Sequence, residues 1–555
     1  MKVAGVPAMQ SMKETAFPAQ RGRVVVDASG AARKGGGSLP AGRKAPVMRA
    51  LAAALALVFL AQPPVATAQM QNLPDLGAAD GDTLSGQAER ELGESVMRQL
   101  RVDGTVFDDP EFNDFINRFG SRLTGTLPAR GRSFEFFAVR DGSINAFALP
   151  GGFIGVHTGL LAAAGSESEL ASVIGHEMGH VTQHHIARML RNQKQASMLA
   201  MAGMVLGALA MRSNPDAGMG AMMLGDSVAT RSILSFSRDA EREADRIGLE
   251  VMREAGFNVE GAPLFFNRLQ QAGRFNEGEG STYLRTHPVT GERINDLKLR
   301  IQQMNVAGVK APPDSLEFKL LRARSRVVSA NRTEEQNSAQ QHFEKLVKSD
   351  GGKKDAVAWY GLAASAEARR DWAAALKAVD QAEALLGKPH PYLARLRTAA
   401  LIGAGNLAEA QKQTEAALKG FGNARALIRQ RAQVLNATRR WDDAIALLRN
   451  ETRIYRSDIE LWRQLGEAYL AKGEKGMSHL AAAEAYLSLK LLQPAIEQLR
   501  LARNAGDLDF YNGSIVDAKL KEAEAGWLQQ QKDAGAPVDK QPLSGGAKAA
   551  GARAR

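Results

Sequence analysis

Apolar positions along the 555 residues fall into distinct patterns. From Ser133 to Leu161, SFEFFAVRDGSINAFALPGGFIGVHTGLL, they come in short runs broken by Asp141-Gly142 and by Pro150-Gly151-Gly152. Runs of that length between turn residues predict strands with tight connections. The next stretch, GSESELASVIGHEMGHVTQHHIARML, changes to the helical period. Ser166 and Glu169 form an S-x-x-E capping box, which satisfies the first free backbone N–H groups and predicts a helix start there. From about residue 336 to 532, Ala- and Leu-rich helical segments recur. DWAAALKAV, NLAEAQKQT and WDDAIALLR align on Ala375, Ala410 and Ala444 at spacings of 35 and 34. Such a period predicts helix pairs, each burying its apolar face on the next.

These shifts divide the chain into an N-terminal extension with a signal (1–68), a flexible Gly/Asp-rich linker (69–84), a mixed region of helices and strands (85–305), a linker (306–335), the helical array (336–532) and a basic tail expected to be disordered (533–555). Trp462, Leu465, Gly466 and Tyr469 fit W-x2-L-G-x2-Y, as Trp359 and Leu362 do in part, so the array resembles tetratricopeptide repeats. The number of repeats stays open, because Gly473 to Pro494 breaks the register. Arrays of this kind present a concave face to protein segments.

Composition removes one function class and constrains another. The net charge of +11 suggests a nucleic-acid partner, but residues 1–68 hold nine Lys/Arg and two Asp/Glu, leaving a near balance of 62 against 58 elsewhere. No nucleic-acid partner is therefore expected. Arg43, Lys44 and Arg49 precede ALAAALALVFLA, and Ala66-Thr67-Ala68 has the small-x-small form of a cleavage site. Twelve apolar residues make about 18 Å of helix against roughly 30 Å of bilayer core, so an export signal cleaved after Ala68 is favoured over an anchor. Residues 1–47 also fit a misassigned start upstream of Met48. The chain has no cysteine, so any metal must be held by His and carboxylate. The apolar, Met-rich stretch 196–223 has three readings: a buried hairpin, a lid, or a surface for peripheral contact with membrane or apolar substrate.

IGHEMGHVTQHH carries the chemistry. His176 and His180, four apart on a helix, project from one face and can reach one ion, with Glu177 placed to act as general base on a water. A third ligand is needed. Gln183 and Ile186 stand where a metzincin has Gly and His, which excludes that class. SRDAEREADRIGLEVM offers instead Glu241 as third ligand and Asp245, one turn on, to accept the outer N–H of a ligand histidine. Glu243 points elsewhere and is the weaker candidate. The bland alternative for this segment is a solvated helix salt-bridged by Arg238, Arg242 and Arg246.

HEMGH, SRDAEREAD and NAFALPGGFIGVHTGLL together resemble the gluzincin metalloproteases that include the CAAX prenyl endopeptidases and the heat-shock protease HtpX. With an export signal and C-terminal repeats, the chain resembles their periplasmic, BepA-type beta-barrel assembly-enhancing branch. The resemblance implies an α+β, mostly α protein: a zincin-type metalloprotease domain with a small sheet over about 85–305, followed by an all-α tetratricopeptide-repeat array. It implies one Zn2+ per chain on His176, His180 and Glu241, with Glu177 as base. It also implies a periplasmic enzyme that cuts misassembled envelope proteins, with the outer-membrane barrel-assembly machinery as partner through the repeats. Asn145, Ala146, Phe147 and Ala148 are read as a substrate-binding edge strand, against the alternative of a core strand. His287, beside Pro288, is read as stabilising the oxyanion or as capping the zinc, against a surface histidine. His157, His184 and His185 are read as structural. The rival from another class is a repeat-bearing chaperone or assembly scaffold with a structural or dormant zinc site.

Overall fold

The computed structural model describes residues 85–127, 133–191, 237–275, 282–304 and 311–533. The expected export signal, the 69–84 linker, the Met-rich stretch 196–223 and the basic tail from 534 onward lie outside the described residues. The chain divides into two units at Ala79–Asp80, and every described residue belongs to the second.

Helices α1 (Gly86–Val102) and α2 (Pro110–Thr124) begin at side-chain caps. Ser85 accepts from the Ala88 amide, and Asp109 accepts from the Glu111 and Phe112 amides with Pro110 in the first turn. The predicted strands come next in the chain: β1 (Glu135–Val139), β2 (Ala146–Leu149) and β3 (Phe153–His157), in the order β1-β3-β2. β3 is parallel to β1 and antiparallel to β2, so β2 lies at the edge. A short helix α3 (Thr158–Ala163) leads to α4 (Glu167–Thr182), which carries the HEMGH residues. Half of the expected capping box forms, with Ser166 accepting from the Glu169 amide. The Glu169 carboxylate binds the Gly165 amide and Arg268 instead.

Beyond α4 lie α5 (His185–Arg191), α6 (Arg238–Glu254), α7 (Gly261–Phe275), α8 (Thr282–Thr286), α9 (Gly291–Gln303), α10 (Leu316–Val328) and α11 (Thr333–Lys348). Within the stretch read as a linker, α10 is a buried helix, its Phe318, Leu320 and Leu321 almost inaccessible. Those residues extend one core from Phe112, Ile116, Ile174, Met178 and Leu249 to Tyr360 and Leu396 of the array. At roughly 1.5–3 kcal/mol for each large apolar side chain buried, this continuity fastens the two parts together.

The array consists of α12 (Ala356–Ala368), α13 (Trp372–Leu386), α14 (Pro391–Gly403), α15 (Leu407–Gly420), α16 (Arg425–Ala437), α17 (Trp441–Ile454), α18 (Ile459–Ala471), α19 (Lys475–Ser488), α20 (Leu492–Asn504) and α21 (Phe510–Asp533). Ala375, Ala410 and Ala444, which set the period in the sequence, are fully buried. Arg370, Gly405, Arg439 and Gly473 repeat a left-handed turn between paired helices. The register therefore survives Gly473. It changes at Lys490, where a further left-handed residue makes the α19–α20 connection as tight as a turn within a pair.

The same junction holds buried charge. Asp109 and Glu111 meet Arg324 of α10, and Arg395 of α14 reaches both Glu111 and Glu367. Asp108 and Asp114 pair with Arg429 and Arg425 of α16. Asp109 and Glu367 already offset Arg324 and Arg395, which leaves Glu111 as the fifth, unbalanced charge. Burial pushes its carboxyl up from 4.5 to about 7, against the pull of Arg395 and Arg324. A carboxyl that binds its proton more tightly when folded adds stability that is complete below about pH 4.5 and lost as pH rises through 7. Urea midpoints at pH 5 and pH 8 are expected to fall less in Glu111→Gln than in the wild type; equal falls would show that Glu111 is ionised throughout.

Candidate metal centre

Helices α4 and α6 cross where both carry small residues. A methyl group on Gly179 would lie 2.7 Å from the Ala244 Cα, and one on Gly248 would lie 3.0 Å from the His176 amide nitrogen. Only near-naked backbones approach so closely, and the approach sets His176 and His180 against Glu241 and Asp245. His287, just after α8, completes a buried group in which ligand atoms of His176, His180, Glu241 and His287 all lie within 4.8 Å of one another.

The distances define a compact donor set. His176 Nε2 is 3.0 Å from His180 Nε2 and 3.5 Å from Glu241 Oε2, and His180 Nε2 is 3.4 Å from Glu241 Oε1. His287 Nδ1 lies 2.9 Å from Glu241 Oε1 and 3.4 Å from His176 Nε2. Three imidazoles and a carboxylate suit a divalent ion such as zinc. Glu177 strengthens the fit: its carboxylate is fully buried with no close side-chain hydrogen bond, His287 Nε2 standing 3.6 Å away. A native buried carboxylate left so calls for a ligand or water.

Behind the cluster, His176 Nδ1 is 2.8 Å from Asp245 Oδ1, and Arg293 clasps Asp245 through Nε at 2.8 Å and Nη2 at 2.7 Å. Arg293 Nη1 also lies 2.6 Å from Glu241 Oε2. The electrostatics reflect burial and these partners. Burial opposes the His176 cation, but Glu241 and the Asp245 hydrogen bond overcome it and raise the ring to about 10. Burial drives His180 well below its ordinary value. Glu241 stays ionised despite burial because His287 and His176 face it. Burial raises Glu177, against the charges of His287 and His176.

The structure thus brings together His176, Glu177, His180, Glu241, Asp245 and His287, all buried. Ala146, Phe147 and Ala148 lie in β2, which has no strand on its outer side among the described residues. Asn145 lies just before it, its carbonyl accepting from the His157 amide. The Ala148 amide acts on the Glu177 carboxylate, so the strand passes beside that residue. Phe147 packs on Phe137, their ring centres 5.8 Å apart. His157 is buried with Nδ1 3.0 Å from Ser143 Oγ, and His184 pairs with Glu89 at 3.0 Å.

Sequence reasoning missed two residues. Arg293 falls on the face shared with Leu297 and Ile301, at i, i+4 and i+8, and an arginine on an apolar stripe was the available signal. His185, read as merely structural, has Nδ1 2.8 Å from His180 Nδ1. No described helix is long and apolar enough to cross a membrane.

A family model described as "Peptidase family M48" matches residues 113–301. The "Beta-barrel assembly-enhancing protease" of Yersinia pestis is 30% identical over 431 residues, 76% of this chain and 85% of that one. The "Putative beta-barrel assembly-enhancing protease" of Vibrio cholerae is 38% identical over 265 residues, 47% of this chain and 53% of the relative. The Escherichia coli K12 "Beta-barrel assembly-enhancing protease" is 36% identical over 254 residues, 46% and 51%. In the last two the match spans about half of the relative's length.

The glycine crossing makes a direct prediction. Gly179→Ala is expected to destabilise the protein by about 1–3 kcal/mol through overpacking and to weaken metal binding. Gly513→Ala, where an added methyl meets nothing within 4 Å, should do neither. Thermal melts and zinc titration of both variants check this, and an unaltered Gly179→Ala protein would refute the close crossing.

Proposed function

This chain belongs to peptidase family M48, alongside the beta-barrel assembly-enhancing proteases, and from that membership we propose that it is an exported zinc endopeptidase acting on misfolded or misassembled cell-envelope proteins. The observation that carries the reading is the fully buried Glu177 carboxylate beside the His176, His180, Glu241 and His287 cluster. A purely structural zinc would have no use for such a group.

His176, His180 and Glu241 would hold one zinc ion, which when bound supplies a Lewis acid that makes water acidic near neutral pH and polarises a carbonyl. Glu177 takes the proton from water and returns it to the leaving amine nitrogen; its raised affinity for protons suits that exchange. Asp245 and Arg293 hold the His176 ring and Glu241 in place. The outer edge of β2, from Ala146 to Ala148 with Asn145 before it and no strand beside it among the described residues, binds an extended substrate by main-chain hydrogen bonds, a mode tolerant of side chains. Misassembled proteins expose such segments. The repeats recruit the client or the outer-membrane barrel-assembly machinery, in the periplasm.

His287 supports a second reading. With Nδ1 in the donor cluster, it can take the fourth coordination position and keep the enzyme dormant while the repeats act as a chaperone or assembly scaffold. Cleavage of an unfolded model protein separates the two. Glu177→Gln is expected to keep zinc and lose about 10²–10⁴-fold in rate, whereas His287→Ala should raise the rate if it caps the metal. Zinc bound by all three proteins with no cleavage by any would favour the scaffold.

A further inference from the structure

The two histidines of the HEMGH stretch are steadied in different ways. His176 meets a carboxylate directly, through Asp245. His180 meets another imidazole: its Nδ1 is 2.8 Å from His185 Nδ1, and His185 Nε2 is 3.1 Å from Glu243 Oε2. Arg188 Nη2 binds the same Glu243 oxygen at 3.0 Å. We propose that His185 and Glu243 are positioning residues, a hydrogen-bond relay that fixes the tautomer of His180 and thereby sets the affinity of the site for zinc. The proposal rests on the reading of His176, His180 and Glu241 as ligands.

Proton accounting gives the relay its direction. Two ring nitrogens 2.8 Å apart share one proton. For His180 to offer the Nε2 lone pair to an ion, its proton must sit on Nδ1, and His185 Nδ1 must accept it. The His185 proton is then on Nε2, facing a carboxylate that only accepts. With both rings neutral, the opposite order would set a bare Nε2 against a carboxylate oxygen and aim the His180 proton at the ligand cluster. Glu243 therefore selects the metal-binding tautomer from two residues away, as a carboxylate behind a ligand histidine does directly.

The backbone is shaped for this contact. In an uninterrupted helix, residues five apart point about 140° away from each other. Here α4 stops at Thr182, His184 takes a left-handed φ of 51°, and α5 restarts at His185 folded back on His180. A non-glycine residue in that region is uncommon and has to be stabilised by its surroundings. Arg188, one turn along α5, then reaches Glu243 on α6.

The test is competition of the full chain with a chromophoric chelator for Zn2+, with melting of the metal-free proteins alongside. His185→Ala is expected to raise the zinc Kd by about 10- to 100-fold and Glu243→Gln by about tenfold, since a glutamine can donate as well as accept and no longer imposes a direction. Gly513→Ala, far along the array in α21, should leave it unchanged. Glu243 is one-third exposed, so its variant should melt like the wild type when metal-free, which separates positioning from a structural role. Glu243→Gln binding zinc within twofold of wild type would overturn the relay, and it decides alone if His185→Ala does not fold. A wild type that binds no zinc would sink the ligand reading itself, a distinguishable result.

Discussion

The site depends on how near two helix backbones come. Gly175 and Gly179 on α4, four apart, meet Ala244 and Gly248 on α6, also four apart, and the contact is backbone on backbone. Histidine and glutamate side chains are short, so their donor atoms converge only if the helix axes do. The small residues are thus as much a condition of the cluster as its ligands. His176 and Glu177 come directly after Gly175, and His180 directly after Gly179, so one stretch of sequence supplies both the approach and the chemistry.

This explains why some of the site is legible in the sequence. Spacing on one helix is local, so His176, Glu177 and His180 can be read from periodicity alone, and the four-residue interval of Glu241 and Asp245 becomes legible once a third ligand is required. The alanine period fixes the array for the same reason, since each repeat buries the same position. Arg293 and His185 escape such a reading because their importance is non-local. Arg293 acts by reaching from α9 to two carboxylates on α6, and His185 depends on a left-handed residue that ends a helix in the middle of a helical pattern. Helix α10 is hidden for another reason. Prolines at 312 and 313 and a basic face give 306–335 a linker's composition, while Phe318, Leu320 and Leu321 are enough to bury it.

Burial of α10 changes how the repeats relate to the metal centre. A flexible linker would let the array swing and deliver a client to the cleft. Instead one apolar core runs from α2 and α4 through α10 into α12 and α14, and charged pairs tie α2 and the residues before it to α10, α14 and α16. Surface pairs contribute little, but a buried pair is costly to break because a lone charge is left behind. The first repeats are thereby held at a fixed place relative to β2 and α4. If a client lies along the β2 edge as proposed, geometry rather than tethering would determine which of its segments does so.

Such a fixed frame would suit the proposed peptidase, whose substrates would be defined by state rather than by sequence. Main-chain pairing on β2 would discriminate weakly among side chains, so a broad edge needs a separate device to spare folded proteins. Three features of the molecule act in that direction. The His176, His180 and Glu241 donor atoms are buried, His287 stands among them, and Glu177 lies inside the same enclosure. A folded chain cannot bring backbone to such a site without unfolding, whereas an extended segment can. On the proposed reading, selectivity would come from the work of exposing a strand, which a misassembled protein has already done.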